Sequence, residues 1–217
     1  GECTAPIHIA MGAPVEFHKV VVIGAGISGL YAARELRKHI DDVVIVEASN
    51  HVGGRIRQVE GVAPWPIEIG PEFIHGGDNS LLMDVVNEMG LETREHEWPD
   101  RYYFGGAGGG RMVDANSGED DPEAERLFEL FDNIDEDPVE QDMRADDWLR
   151  MRGANSKMME LAEVCYANDF GCSLRHMGTA QLKEENKAWD YGHAYLTLRT
   201  SLAAVVEHLA RGQEVRR

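Results

Sequence analysis

The sequence predicts an α/β fold that begins with a strand–helix–strand unit and continues into a mainly helical region. Three observations support this prediction: a glycine-spaced turn at residues 24–29, two short apolar runs on either side of a helical pattern, and helical apolar spacing through most of the second half. With 217 residues, of which 43% are hydrophobic and 28% charged, the chain can form one large domain or parts of two.

The first elements lie around the stretch "VVVIGAGISGLYAARELRK". Residues 19–23 form a β-branched apolar run, which is typical of a central parallel strand covered on both faces. Residues 30–39 carry apolar side chains spaced by three and four, as an amphipathic helix requires. Residues 43–46 are a second apolar run, and the three segments together have the length of a βαβ motif.

Shorter elements follow this motif. Residues 66–70 are predicted to form a short strand and residues 80–89 an amphipathic helix, with Gly90 at the position where such a helix stops. The stretch "RYYFGGAGGGRMV" predicts a β-hairpin with a glycine-rich tip, because no helix pattern follows those glycines.

The second half of the chain is predicted to be rich in helices. Asp121 followed by Pro122 is typical of a helix N-terminus. Residues 127–134 and 158–165 each carry an apolar face at helical spacing. A last helix is predicted to end at Gly212 and to carry Leu198, Leu202, Val205, Val206 and Leu209.

The glycine-spaced turn has the pattern of a dinucleotide-binding loop. Gly24 permits a tight turn out of the strand, Gly26 lets a pyrophosphate approach the backbone, and Gly29 lets the helix pack closely on the strand. The first helical amides then face the phosphates, and Ser28 adds a hydroxyl group. The strand before and the helix after the glycines favour this interpretation over a chance glycine turn.

Residues beyond the loop indicate which dinucleotide it binds. Glu47, at the end of the second strand, can accept hydrogen bonds from the ribose hydroxyl groups and would repel a 2′-phosphate, which argues against NADP. NAD and FAD both carry this ribose. Gly53, Gly54 and Arg55 favour FAD, because its pyrophosphate and ribityl chain need close backbone approach and a cation. The alternative for these three residues is a surface turn.

Acidic residues are concentrated in one segment of a chain whose net charge is −18. Between Asp114 and Asp147 there are 15 acidic residues and two basic ones, Arg126 and Arg144. Nucleic-acid binding through a basic face is therefore not expected. Two interpretations of the acidic segment remain, a solvated surface or an electrostatic attraction for a cationic substrate.

Other sequence features limit the class of protein. Cys3, Cys165 and Cys172 do not have the spacing of a disulfide framework or of a metal site, and no metal is predicted. No apolar run approaches the length of a membrane helix, and no secretory signal is visible. A membrane partner is not expected, and a cytoplasmic or peroxisomal location is favoured.

Two stretches resemble the flavin-containing amine oxidases. The residues "VVVIGAGISGLYAARELRK" and "VVIVEASNHVGGRIRQ" resemble the FAD signature of that family. The stretch "IEIGPEFIHG" resembles the segment that passes beside the isoalloxazine ring, and its ending is similar to that of animal polyamine oxidases. The resemblance implies a Rossmann-like FAD-binding domain into which a mainly helical substrate domain is inserted.

The resemblance and the loop pattern together give a set of candidate site residues. His75 is implied to face the substrate, although a surface histidine is the alternative, and no catalytic residue is identified within these 217 residues. The candidate FAD-binding residues are Gly24, Gly26, Ile27, Ser28, Gly29, Glu47, Ala48, Gly53, Gly54, Arg55, Gly70, Pro71, Glu72 and Phe73.

The resemblance also predicts the domain organisation. Residues 1–17 are expected to form an irregular lead-in, residues 18–90 the first part of the FAD-binding domain, residues 91–197 the first part of the substrate domain, and residues 198–217 a helix that returns to the FAD-binding domain. The chain is expected to be an incomplete part of a larger enzyme. The strand that should follow Gln213 and the lysine that the family holds near the flavin are expected to be missing.

The activity that the resemblance implies is oxidation of a C–N bond of a polyamine or other small amine to an imine, with dioxygen reduced to hydrogen peroxide. FAD would carry the redox chemistry, while the protein binds and orients the reactants. Two alternatives remain open at this point. One is a truncated, non-catalytic flavin-binding or interaction module, and the other is an FAD oxidoreductase for another substrate, of the L-amino-acid oxidase or desaturase type.

Overall fold

The chain forms two compact units in a computed structural model that describes residues 15–96, 101–105, 109–114 and 121–217. Unit 1 contains the described residues up to Ile74, then Leu81–Arg94 and Leu196–Arg217. Unit 2 contains His75–Ser80 and the described part of Glu95–Tyr195. Most of the predicted lead-in, residues 1–14, and residues 106–108 at the predicted hairpin tip lie outside the described residues.

Ten strands and eight α-helices are present in the described residues. The strands are β1 (Val20–Ile23), β2 (Val43–Val46), β3 (Gln58–Val59), β4 (Ile67–Glu68), β5 (Ile74–His75), β6 (Thr93–Glu95), β7 (Arg101–Phe104), β8 (Arg111–Asp114), β9 (Tyr195–Leu198) and β10 (Val215–Arg216). The helices are α1 (Ile27–Arg37), α2 (Leu81–Glu88), α3 (Pro122–Asp132), α4 (Ala145–Met151), α5 (Ser156–Ala162), α6 (Asn168–Phe170), α7 (Thr179–Ala188) and α8 (Ala203–Ala210).

A parallel sheet with the strand order β1-β2-β10 forms the centre of unit 1. Val20 in β1 pairs with Val43 in β2, and the pairing continues in register to the ends of both strands. Helices α1, α2 and α8 contribute the buried residues that pack with this sheet, among them Leu30, Val85 and Val205. The sheet and α1 therefore fix the two ends of the glycine turn that connects β1 to α1.

The prediction that β1 is covered on both faces is wrong. Val21 and Ile23 are 49% and 87% exposed, whereas Val20 and Val22 pack against the core of unit 1. Successive side chains of a strand point to opposite faces, and the core of unit 1 covers only one face of β1. In the described residues β1 also pairs with β2 alone, so it is an edge strand.

Two other sequence expectations differ from the structure. Leu198 lies in β9 and not in the last helix, which begins only at Ala203, because residues 195–198 pair in a three-stranded sheet with the order β5-β9-β6. The strand expected to be missing after Gln213 is present as β10, which pairs with Ile45 and Val46 of β2.

Unit 2 is mainly helical. Its core contains Leu127 and Phe131 of α3, Trp148 of α4, Leu161 of α5 and Leu182 of α7. Strands β7 and β8 pair as the predicted antiparallel hairpin. The predicted N-terminus of α3 is also confirmed, because the carboxylate of its capping residue accepts a hydrogen bond from the backbone N–H three residues later, at 3.2 Å.

A buried carboxylate, Asp137, connects several segments of unit 2. It accepts hydrogen bonds from the Arg152 guanidinium at 2.7 Å and from the Trp148 indole N–H at 3.0 Å. The backbone N–H of Val139 donates a third bond at 2.9 Å. Lys183, on α7, donates to the backbone carbonyl of Val139 at 2.7 Å. Asp137 and Lys183 thus join the segment after α3 to α4 and α7.

Candidate functional site

The predicted glycine turn lies between β1 and α1 with the geometry that its sequence pattern requires. Gly24 has a φ of +97°, a left-handed backbone conformation that residues other than glycine rarely adopt. A Cβ atom on Gly26 would meet nothing within 4 Å, so the backbone there borders open space. A Cβ atom on Gly29 would lie only 2.0 Å from the carbonyl oxygen of Gly24, so Gly29 is required for the close packing of helix on strand.

The N-terminus of α1 presents backbone amides that have no hydrogen-bond partner within the helix. The first hydrogen bond within the helix joins the Leu30 N–H to the Gly26 carbonyl at 2.9 Å, which leaves the three preceding amides without a helical partner. No acidic side chain occupies the first turn of α1. Amides without a helical partner and the positive end of the helix dipole favour an anionic group such as a phosphate.

The second glycine pair packs directly against the first glycine turn. The Gly53 N–H donates a hydrogen bond to the Ala25 carbonyl at 2.7 Å. A Cβ atom on Gly54 would lie 3.4 Å from the Cα atom of Gly26, and both Gly53 and Gly54 have positive φ angles. Two motifs that are far apart in the sequence therefore form one backbone surface in unit 1.

Glu47 holds the glycine turn in place. One carboxylate oxygen accepts a hydrogen bond from the Ala25 N–H at 2.7 Å, and the other accepts bonds from the Ser49 N–H and hydroxyl at 2.8 Å each. The bond from Ala25, followed by those from Ser49, lowers the pKa of Glu47 to about 2. Glu47 is thus ionised at neutral pH and keeps lone pairs that can accept bonds from a ligand.

The segment from Gly70 to Phe73 lies beside the second glycine pair. A Cβ atom on Gly70 would be 2.0 Å from the carbonyl oxygen of Arg55, and the Ile69 N–H bonds to the Arg57 carbonyl at 3.0 Å. The Arg55 side chain is exposed and forms no ion pair with any described residue. The other predicted FAD-binding residues lie on the surface of unit 1 or partly buried in it: Ile27, Ser28, Ala48, Pro71, Glu72 and Phe73.

His75 is placed in unit 2, at a cavity of about 430 Å³. Its ring meets Tyr195 edge-on, with ring centroids 5.0 Å apart. The following residue, Gly76, donates a backbone hydrogen bond to Ala194 at 2.7 Å, and a Cβ atom there would lie 2.1 Å from the Tyr191 carbonyl oxygen. The "IHG" ending therefore has a physical basis, since only glycine permits this contact next to His75.

Aromatic and acidic side chains line this cavity. Tyr166, in a π-helical turn at Glu163–Ala167, stacks on Phe131 with ring centroids 3.7 Å apart. The aromatic lining consists of Phe131, Tyr166, Phe170, Trp189 and Tyr195, and the polar lining includes His75, Asp132, Glu185, Asn186 and His193.

Asp132 and Glu185 in this cavity were not among the predicted site residues. Asp132 belongs to the acidic segment that the sequence left open as solvated surface or cation attraction, and its place in the cavity depends on tertiary packing. Loss of hydration raises the pKa of Asp132, although the nearby His193 acts in the opposite direction. In the described part of the chain, no three His, Cys, Asp or Glu side chains are grouped as metal ligands, and no helix could cross a bilayer.

The glycine turn, its second glycine pair and the acidic strand end are features of a dinucleotide-binding protein. Comparison with known proteins identifies the family to which this dinucleotide-binding protein belongs. The family model described as flavin containing amine oxidoreductase matches residues 27–213. The chain is 40% identical over 79 residues to flavin-containing monooxygenase FMO GS-OX-like 7 of Arabidopsis thaliana, a match that covers 36% of this chain and 17% of that protein.

Two further comparisons concern amine oxidases. The chain is 42% identical over 74 residues to amine oxidase [flavin-containing] A of Canis lupus familiaris, which covers 34% of this chain and 14% of that protein. The structure resembles cyclohexylamine oxidase from Brevibacterium oxydans IH-35A with a TM-score of 0.70 and 21% identity, over 89% of this chain and 48% of that one. This likeness confirms the predicted fold class.

The chain belongs to the flavin-containing amine oxidoreductase family, as the sequence resemblance predicts, and the cofactor of this family is FAD. It spans about half the length of the solved structure that it resembles. The residues of unit 1 fit the cofactor: the space over Gly26 is open, the first amides of α1 face that turn, and Glu47 is held ionised beside it.

We expect the substitution Glu47→Ala to weaken FAD binding, with the dissociation constant rising roughly tenfold or more, because ribose hydroxyls lose an acceptor and the turn loses its support. Titration of the apoprotein with FAD, followed by flavin fluorescence, measures this change. Glu60→Ala is the matched control, since Glu60 is an exposed carboxylate of the same unit without a described polar contact. Equal affinity of both variants would show that Glu47 does not contact the ribose.

Proposed function

We propose that this protein is an FAD-dependent amine oxidase that converts a C–N bond of a small amine to an imine, with reduction of dioxygen to hydrogen peroxide. In this reaction the carbon beside the nitrogen loses a hydride, the nitrogen loses a proton, and dioxygen gains two electrons and two protons. Bound FAD supplies the two-electron acceptor between amine and dioxygen. Among amines, we favour polyamines, which the "IHG" ending of the sequence supports.

The observation that carries this proposal is the convergence of the predicted FAD segments in unit 1. Gly53 and Glu47 both form hydrogen bonds with Ala25, and Gly54 lies so close to Gly26 that an added Cβ atom would be 3.4 Å from its Cα atom. These residues come from three separate stretches of sequence. Family membership connects this arrangement with amine chemistry.

The chain's own residues would contribute binding and orientation. Amides at the N-terminus of α1 would bind phosphate oxygens, and Glu47 would bind the ribose. His75, which lines the cavity, follows Phe73 by two residues in the sequence. If Phe73 contacts the flavin, the flavin-binding segment would therefore lead directly into the cavity lining. The aromatic side chains of the cavity would exclude water from an amine's alkyl chain.

We expect the protein expressed from its complete reading frame to be yellow and to release hydrogen peroxide with at least one amine. A peroxide-coupled screen over polyamines, monoamines, methylated lysine peptides and L-amino acids would identify the substrate class. Flavin absorbance without peroxide from any of these compounds would favour a non-catalytic flavin-binding module. Colourless protein that takes up no added FAD would contradict the proposed cofactor site itself.

A further inference from the structure

We propose that Asn79 is a positioning residue of the cavity in unit 2, although its own side chain does not line that cavity. Its side-chain amide closes a clamp between residues 75–80 and residues 189–194, and the clamp holds the Trp189 ring in the cavity wall. The inference deepens the proposed function, on which it rests. The clamp would determine how tightly an amine is held, and bound FAD would oxidise it.

Backbone hydrogen bonds join the two segments of the clamp. The Gly76 N–H donates to the Ala194 carbonyl at 2.7 Å. The N–H groups of Gly77 and Asp78 both donate to the Tyr191 carbonyl, at 2.8 and 3.0 Å. A displacement of one segment is therefore transmitted to the other.

Both segments of the clamp line the cavity. Residues 75–80 contribute His75 and Gly76, and residues 189–194 contribute Trp189 and residues 192–194. The Trp189 indole N–H donates to the Gly192 carbonyl at 2.7 Å, which ties the ring to its own segment. The position of this ring in the wall therefore depends on how residues 189–194 are held.

Asn79 joins the segments through both its conformation and its side chain. Among the described residues it is the only one other than glycine with a positive φ, 51°, a left-handed region in which asparagine is enriched. Its side-chain amide donates to the backbone carbonyl of Asp190 at 3.2 Å and to the Asp190 carboxylate at 3.4 Å. Trp189 and Tyr191 flank Asp190 and meet edge-on, so this bridge restrains the backbone between two aromatic rings.

The Asn79 bridge extends the clamp towards Trp189. The backbone bonds between the segments reach Tyr191, and α7 ends at Ala188. Trp189 and Asp190 therefore lie between these two fixed points, and a bond to Asp190 restrains the backbone directly beside the Trp189 ring. Loss of the bridge is expected to leave the segments joined but the ring less well placed.

The test is Asn79→Asp, which keeps the size of the side chain but replaces its donor with a carboxylate beside Asp190. Binding of 1,4-diaminobutane is measured by calorimetry on the FAD-loaded full-length protein, kept reduced under anaerobic conditions so that the amine is not consumed. We expect about three- to tenfold weaker binding, the range for a lost hydrogen bond. In a Trp189→Ala background the same substitution should change the affinity less than about twofold, because Asn79 acts through Trp189.

Asn168→Asp is the matched control, because Asn168 is an exposed asparagine of unit 2 that does not line the cavity, and the change adds the same negative charge. It should leave the affinity unchanged. Three results would overturn the inference: wild-type affinity in Asn79→Asp, tighter binding in Asn79→Asp through its added charge, or a loss of equal size in the Trp189→Ala background.

Hydrogen exchange of the protein without amine gives a second readout. Asn79→Asp should speed exchange at the amides of residues 189–194 and leave α5 unchanged. Faster exchange with unchanged affinity for the diamine would mean that Asn79 supports the fold only, and the inference would fail.

Failure of the inference and failure of the proposed function give different results. If the protein oxidises amines but Asn79→Asp binds the diamine as the wild type does, the inference fails and the proposed function stands. If the affinity depends on Asn79 through Trp189 but no amine is oxidised, the inference stands and the proposed reaction fails. A wild-type protein that does not bind the diamine would overturn the inference, and the peroxide screen would then decide the proposed function.

Discussion

Substitution of Gly29 by alanine is expected to destabilise unit 1 by at least about 3 kcal/mol, the upper range for overpacking of a well-packed contact. The added Cβ atom would lie 2.0 Å from the carbonyl oxygen of Gly24 and 3.2 Å from its carbonyl carbon. Both atoms belong to the backbone and cannot rotate away, so α1 would have to move off β1. The expected result is a lower midpoint of chemical unfolding, together with loss of bound FAD.

Gly26→Ala is the matched comparison, because the same atom is added three residues earlier. Its Cβ would meet nothing within 4 Å, and the φ angle of −71° at Gly26 is one that alanine readily adopts. The unfolding free energy should therefore change by less than about 1 kcal/mol. FAD binding should still weaken, because the new methyl group occupies the space through which the pyrophosphate approaches the backbone.

The two variants separate the two roles of the glycine motif, which are close packing of the helix on the strand and space for the pyrophosphate. Unfolding in denaturant and FAD titration of the apoprotein are measured on both variants. We expect only Gly29→Ala to lose stability, whereas both variants should lose affinity for FAD. A stable Gly29→Ala variant with normal FAD affinity would show that the helix does not depend on this contact. Unchanged FAD affinity of Gly26→Ala would show that the phosphates do not pass over this turn.

The glycine turn could be predicted from sequence because its constraints are local. The roles of Gly24, Gly26 and Gly29 depend on backbone geometry within a few residues, and a strand before and a helix after them complete the pattern. The same reasoning holds for Asp121, whose capping bond reaches only three residues along the chain. Apolar spacing likewise identified the buried faces of α2 and α3, because helical periodicity is a local property.

Features that depend on distant packing could not be predicted in this way. The sequence of β1 is apolar throughout, but exposure of Val21 and Ile23 depends on which elements cover each face of the sheet. Leu198 continues the apolar spacing of α8, yet pairing of β9 with its neighbouring strands determines its conformation. Nothing in the acidic segment marks Asp132 as a cavity residue. Its place in the cavity depends on its position at the end of α3 beside α7.

Glu47 shows which contacts a prediction from sequence leaves out. Its position at the end of a strand indicates contact with a ribose, and this contact stays a prediction. The structure adds its bonds to Ala25 and Ser49, which no sequence pattern in the chain indicates. These hydrogen bonds restrict the orientation of the Glu47 carboxylate, and such a restriction reduces the entropic cost of binding.

Asp137→Asn is expected to destabilise unit 2 by roughly 3 kcal/mol, because it leaves the Arg152 guanidinium without its buried partner. The Asp137 side chain is only 7% exposed. Burial alone would raise its pKa, but the hydrogen bonds from Arg152, Val139 and Trp148 outweigh burial and lower the pKa to about 2. The shift from the ordinary value of 3.8 corresponds to about 2 kcal/mol of stability at neutral pH.

The direction of the pH dependence follows from this lowered pKa. The carboxylate is more acidic in the folded protein than in the unfolded chain, so its contribution is fully present above about pH 4 and is lost as the pH falls towards 2. Urea unfolding at pH 7 and pH 3 measures the effect, with Glu140→Gln, an exposed carboxylate, as control. The difference in unfolding free energy between wild type and Asp137→Asn should shrink at pH 3. A difference that is equal at both pH values would show that packing, and not the charge of Asp137, stabilises this junction.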